Sequence, residues 1–109
     1  MSSIFTKIIN REIPSKIFHE TDQVIVIADI NPKTPVHLLL IPKAESKNFY
    51  ETKSETLQML NDTVKLIADK LGIADHFKVL INNGFGQEVD HLHYHFMSNK
   101  GVDKLIFKN

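Results

Sequence analysis

His91-Leu92-His93-Tyr94-His95-Phe96-Met97 places three of the chain's six histidines at alternate positions of one short stretch. A β-strand points successive side chains to opposite faces. The three imidazoles would therefore share one face, and Leu92, Tyr94 and Phe96 would share the other, against a core. The imidazoles would repeat at roughly 7 Å, twice the strand rise. Imidazole can act as base, acid, nucleophile or ligand near neutral pH, so two chemistries are open. In one, two histidines at i and i+2 hold zinc together with a carboxylate such as Glu88 or Asp90. In the other, a neutral imidazole attacks phosphorus or a carbonyl while its neighbours orient it and handle protons. Three residues repeating along a straight strand diverge more than the ligands of one ion should. The preceding loop, residues 82–90, holds two of the four glycines and permits close backbone approach to a phosphate. Nucleophilic catalysis with no required metal is the expectation, zinc the less favoured alternative. His19 and His76 lie beside turn or loop signals and read as surface or hydrogen-bonded residues.

The elements that must position these groups follow from the apolar pattern. Ile4, Phe5, Ile8 and Ile9 have helical spacing, with Ser2 or Ser3 as cap. Residues 17–20 and 24–29 read as strands around a Thr21-Asp22-Gln23 turn, and residues 37–41 as a third strand stopped by Pro42. Thr52 and Glu55 have capping-box spacing ahead of a helix over 53–71, whose stripe is Leu57, Leu60, Val64, Ile67 and Leu71, with Gly72 as stop. Residues 77–81 and the histidine stretch supply two more strands. The β-β-β-α-β-β order predicts one α+β domain over 1–109, with about five mainly antiparallel strands, one long helix and a short N-terminal helix.

The chain's 109 residues have room for one core, and 13 basic residues balance 13 acidic ones. No broad field therefore favours nucleic acid or an anionic membrane surface. The absence of cysteine excludes disulfides, thiol nucleophiles and cysteine-ligated metals. MSSIFTKIIN lacks the apolar stretch of a secretory signal, and no apolar run reaches the length of a membrane span, so a cytoplasmic location is expected.

The histidine stretch resembles the signature of the histidine triad (HIT) superfamily, His-φ-His-φ-His-φ-φ with φ apolar, at every position. Three further blocks resemble its Hint-type branch in order and spacing. These are Ile4-Phe5-Thr6-Lys7-Ile8-Ile9 with Glu12-Ile13-Pro14-Ser15-Lys16; Asp29-Ile30-Asn31-Pro32 with Pro35-Val36-His37 and Leu40-Ile41-Pro42-Lys43; and Asn82-Asn83-Gly84 with Gly86-Gln87-Glu88-Val89. The match runs to about Met97, leaving 98–109 as a tail. The resemblance implies a HIT-like fold, a homodimer joined into one continuous sheet, and a purine nucleotide substrate resembling AMP. It implies cleavage at the α-phosphorus of a nucleoside 5′-phosphoramidate, acyl-adenylate or related ester, with release of a nucleoside monophosphate. A dinucleoside polyphosphate hydrolase of the Fhit-like kind, or a nucleotide-binding regulatory protein, is the alternative.

By position in these blocks His93 would be the nucleophile. His95 would contact the phosphate and assist the leaving group, and His91 and His37 would orient His93. Asn82 and the amides near Gly86, Gln87, Glu88 and Val89 would face the phosphate. Asp29 would accept from the ribose hydroxyls, and Phe5, Ile8, Ile27 and Ile30 would surround the base; Ile8 and Ile27 read equally well as core. The chain departs from the family pattern in four places. No histidine follows Pro42-Lys43, Glu88 stands where the best-known members have serine, the loop is shorter around Phe85, and the tail 101–109 lacks the family motifs.

Overall fold

Two strands open the sheet, β1 at Ile17–Glu20 and β2 at Val24–Ala28, and they pair antiparallel across the expected turn. The Thr21 hydroxyl closes that turn by accepting from the amides of Gln23 and Val24. In this computed structural model, which describes residues 3–103 and 105–108, three more strands follow: β3 at Val36–Pro42, β4 at Lys78–Leu80 and β5 at Tyr94–Ser98. The order is β1-β2-β3-β5-β4 with every neighbour antiparallel, so the fold is α+β with a five-stranded antiparallel sheet and two helices. None of the helices among the described residues is long and apolar enough to cross a membrane.

Each face of the sheet buries its own core. On one face the helix α2, Ser54–Leu71, packs Leu60, Val64 and Ile67 against Val26, Leu38 and Phe96. On the other the short helix α1, Ile4–Ile9, brings Phe5 and Ile8 onto Ile25, Ile27, Leu39 and Ile41. Leu92, Tyr94 and Phe96 are buried on the α2 side, as their alternation with the histidines requires.

Three local expectations change, and the expected choice between two α1 caps is decided. Only His95 of the three alternating histidines lies within β5. Pro42 has no amide hydrogen to extend the ladder, and the chain before Tyr94 is held instead by the Leu92 amide on the Ser46 carbonyl at 2.8 Å. Pro42 itself is the last residue of β3, opposite Val24. The capping box does not form: Lys53 is the N-cap of α2 and makes no side-chain cap bond, because the Thr52 hydroxyl donates to the Asn48 carbonyl at 2.6 Å. The cap of α1 is Ser3, whose Oγ accepts from the Thr6 amide, while Ser2 lies outside the described residues. The tail returns to the sheet, with Lys108 bridging Ile17 and Phe107 edge-on to Phe18.

Candidate active site

Hydrogen-bond partners that can act in only one sense fix the ring tautomers. His93 Nδ1 lies 2.9 Å from the His91 carbonyl, which can only accept, so the hydrogen sits on Nδ1 and the Nε2 lone pair is free. His91, fully buried, donates Nε2–H to the Pro42 carbonyl at 2.8 Å, so its Nδ1 accepts the Ser3 hydroxyl hydrogen at 2.6 Å. Phe5 stands edge-on to both rings, 5.7 Å from His91 and 5.0 Å from His93 between centroids.

A second chain of bonds begins at a backbone amide that the sequence did not single out. Lys33 N–H donates to His37 Nδ1 at 3.0 Å, which puts the His37 hydrogen on Nε2. That hydrogen is shared between His95 Nδ1 at 3.0 Å and the Asp29 carboxylate at 3.2 Å. Neutral His95 therefore carries its hydrogen on Nε2, and its ring centroid lies 5.0 Å from that of His93. Burial holds His37, His91 and His95 below the ordinary imidazole value. At His95 the nearness of His93 and His37 adds to the lowering, while Asp29 and Glu88 oppose it. Burial thus favours the neutral form of His37, His91 and His95, and the bonds above place the ring hydrogen of each.

The remaining residues expected at the site fall into three groups. Asp29 joins the histidines: its Oδ1 accepts from the Asn31 amide at 2.8 Å, and its Oδ2 also lies 4.0 Å from His95. Phe5, Ile8 and Ile27 are packed together in the α1-side core with Val89 against them, whereas Ile30 is 90% exposed and stands apart. In the loop, Gln87 ties the backbone together, accepting from Gly84 N–H and donating to the carbonyls of Lys47 and Val89. Gly86 adopts φ 79°, and a Cβ there would meet Asn82 Oδ1 at 3.4 Å. Glu88 is exposed.

The donor set also allows a test for zinc. Asp29, His37 and His95, rather than Glu88 or Asp90, bring ligand atoms within 4.8 Å of one another. Zinc would need a bare Nε2 on His37, and the Lys33 amide places the hydrogen there. As arranged, these residues do not fit the ion.

The HIT domain model matches residues 10–102. The adenylylsulfatase HINT1 of Arabidopsis thaliana is 40% identical over 93% of this chain and 74% of its own length. A 14 kDa zinc-binding protein of Brassica juncea is 36% identical over 93% of this chain and 96% of its own. The solved structure of a HIT family hydrolase from Clostridium thermocellum superposes with a TM-score of 0.83 at 42% identity, covering 94% of this chain and 92% of that one. A family match over this much of the chain, on a sheet and histidine set of this design, makes the protein a member of the HIT domain family.

Proposed function

We propose that the protein is a nucleotidyl hydrolase cleaving at the α-phosphorus of nucleoside 5′-phosphoramidates or acyl-adenylates and releasing the nucleoside monophosphate. The observation that carries this reading is the bare Nε2 of His93, on a ring whose centroid is 5.0 Å from that of His95, whose own hydrogen sits on Nε2. His93 Nε2 attacks phosphorus, an N–P bond forms, and the bond to the leaving group breaks. A departing amine needs a proton, which His95 supplies. The anionic substrate draws a second proton onto that imidazole, and the Asp29 carboxylate, 4.0 Å from Nδ1, offsets the charge. A departing carboxylate needs none. Water then attacks phosphorus and the bond to His93 breaks, restoring the neutral ring; after an amine has left, the water proton goes to the vacated Nε2 of His95, and after a carboxylate has left it goes to the released phosphate and so to solvent.

Asn82 and the amides of Gly86, Gln87 and Glu88 serve as donors to the phosphate, with Val89 beside them. Asp29 retains lone pairs for the ribose hydroxyls, and Phe5, Ile8, Ile27 and Ile30 serve the base. The Arabidopsis relative is named an adenylylsulfatase, which supports chemistry at an adenylyl group. A homodimer joined through β4 is part of the same reading, supported by the 46% exposure of Leu80 on that edge. Sedimentation of wild type beside Leu80→Lys tests it: a monomeric wild type would remove the dimer.

The reaction is tested with a labelled adenosine 5′-phosphoramidate, with and without chelator, beside His93→Ala. Turnover that resists the chelator and falls by about 10³-fold or more in the variant is expected. Loss on chelation would favour a metal mechanism, and tight nucleotide binding without turnover a regulatory protein. An acid-labile nucleotidyl adduct on a residue other than His93 would overturn the assignment of the nucleophile.

A further inference from the structure

The histidine that supplies the carbonyl to His93 is itself held from the far end of the chain. Ser3 Oγ, 2.6 Å from His91 Nδ1, gives its only hydrogen to that ring, because His91 Nε2–H is already committed to the Pro42 carbonyl. The same oxygen accepts the Thr6 amide at 3.1 Å and so caps α1. Behind it Glu45 Oε1 accepts from the Ser3 amide at 3.3 Å and from the Thr6 hydroxyl. One hydroxyl therefore joins the N-terminal helix to a fully buried imidazole 88 residues away, and the carboxylate braces both residues of the helix that meet there.

The helix so anchored carries Phe5, whose ring edge confines His91 and His93 together. Without the Ser3 hydrogen, a buried ring nitrogen loses its partner and α1 loses its tie to the triad. The His93 ring is then free to turn away from in-line attack, and small misplacements of a nucleophile cost rate steeply.

We propose that Ser3, braced by Thr6 and Glu45, is a positioning residue for the nucleophile: its hydroxyl latches α1 onto His91, and through Phe5 and the His91 carbonyl it holds the His93 ring in attacking orientation. This inference rests on the hydrolase reading above. It assigns catalytic geometry to the N-terminal helix as well as to the sheet.

Glycine caps helices nearly as well as serine, so Ser3→Gly removes the hydroxyl from His91 while largely sparing α1. The full-length wild type, Ser3→Gly and Ser3→Thr are compared by kcat and KM on adenosine 5′-phosphoramidate. The ring-proton NMR resonances of His91 and His93 are recorded without ligand. Ser3→Gly is expected to lower kcat on the order of tenfold with KM within about twofold, and to move both sets of resonances. Ser3→Thr, which keeps the hydroxyl, is expected to match wild type in both. Wild-type kcat and unmoved resonances in Ser3→Gly would overturn the latch and leave Ser3 as a helix cap. Should Ser3→Gly fail to fold, Ser3→Asp carries the same decision, because its carboxylate keeps a cap acceptor for the Thr6 amide and has no hydrogen to give His91 Nδ1. A wild type inert towards the phosphoramidate would defeat the hydrolase reading alone, while the resonances of the variants still decide the latch.

Discussion

A neutral imidazole has one hydrogen to place, and in this protein main-chain atoms decide where it goes. The His91 carbonyl claims the hydrogen of His93, and the Lys33 amide drives that of His37 to Nε2 and so towards His95 and Asp29. Asp29 is the residue whose reading changed most: matched to ribose by sequence, it also sits against the rings of His37 and His95. If its charge supports a protonated His95, Asp29→Asn should slow substrates with amine leaving groups on the order of tenfold more than acyl-adenylates, whose carboxylate departs unprotonated. The ratio of kcat/KM for the two substrates measures this, and an unchanged ratio would confine Asp29 to binding. The stretch after Pro42-Lys43, which lacks the histidine its resemblance leads one to expect, reaches the triad region through Glu45 and Ser3. Neither partner could be paired from sequence, because nothing local links residues 42 and 88 positions apart.

At the scale of elements, periodicity located both helices and all five strands, and it erred where a side chain had a competing partner. Leu60, Val64, Ile67 and Leu71 of the α2 stripe are buried and Leu57 is partly so, and Gly72 ends the helix in the left-handed conformation at φ 70°. Its start differs because the Thr52 hydroxyl faces the Asn48 carbonyl and Ser46, leaving Lys53 at the cap with no bond to offer and a positive charge at the positive end of the helix. Lys53→Asp supplies a cap acceptor and reverses that charge, and should stabilise the fold by about 1 kcal/mol in urea unfolding. No gain would mean that the backbone at residue 53 cannot present the new side chain to the helix. The histidine strand differs for a main-chain reason: alternation correctly put Leu92, Tyr94 and Phe96 in the core, but ladder pairing begins only at Tyr94, because Pro42 has no amide hydrogen and the Leu92 amide is bonded to Ser46.

For the molecule as a whole, the site carries a cost that appears in the pH dependence of stability. His19, His37, His91 and His95 are all held below the ordinary imidazole value in the folded chain, chiefly by burial. Unfolding at acid pH therefore takes up protons. Stability is full above about pH 6.5, the value in an unfolded chain, and falls as the pH drops towards the lowered folded values. Thermal unfolding at pH 7.5 and 5.5 at matched ionic strength should show a lower Tm at pH 5.5; equal values would contradict the burial of these neutral rings. The amino-acid sequence by itself determined the α+β class, the two-faced strand with its histidines on one side, and the membership that four ordered blocks imply, because periodicity and short motifs are local properties of the chain. Tertiary structure alone decided which nitrogen of each histidine is bare, that Asp29 joins the rings, that Ile30 stands outside the apolar cluster, and that Ser3 closes on His91. Those outcomes depend on contacts between segments far apart in the chain, which exist only once both faces of the sheet have been covered.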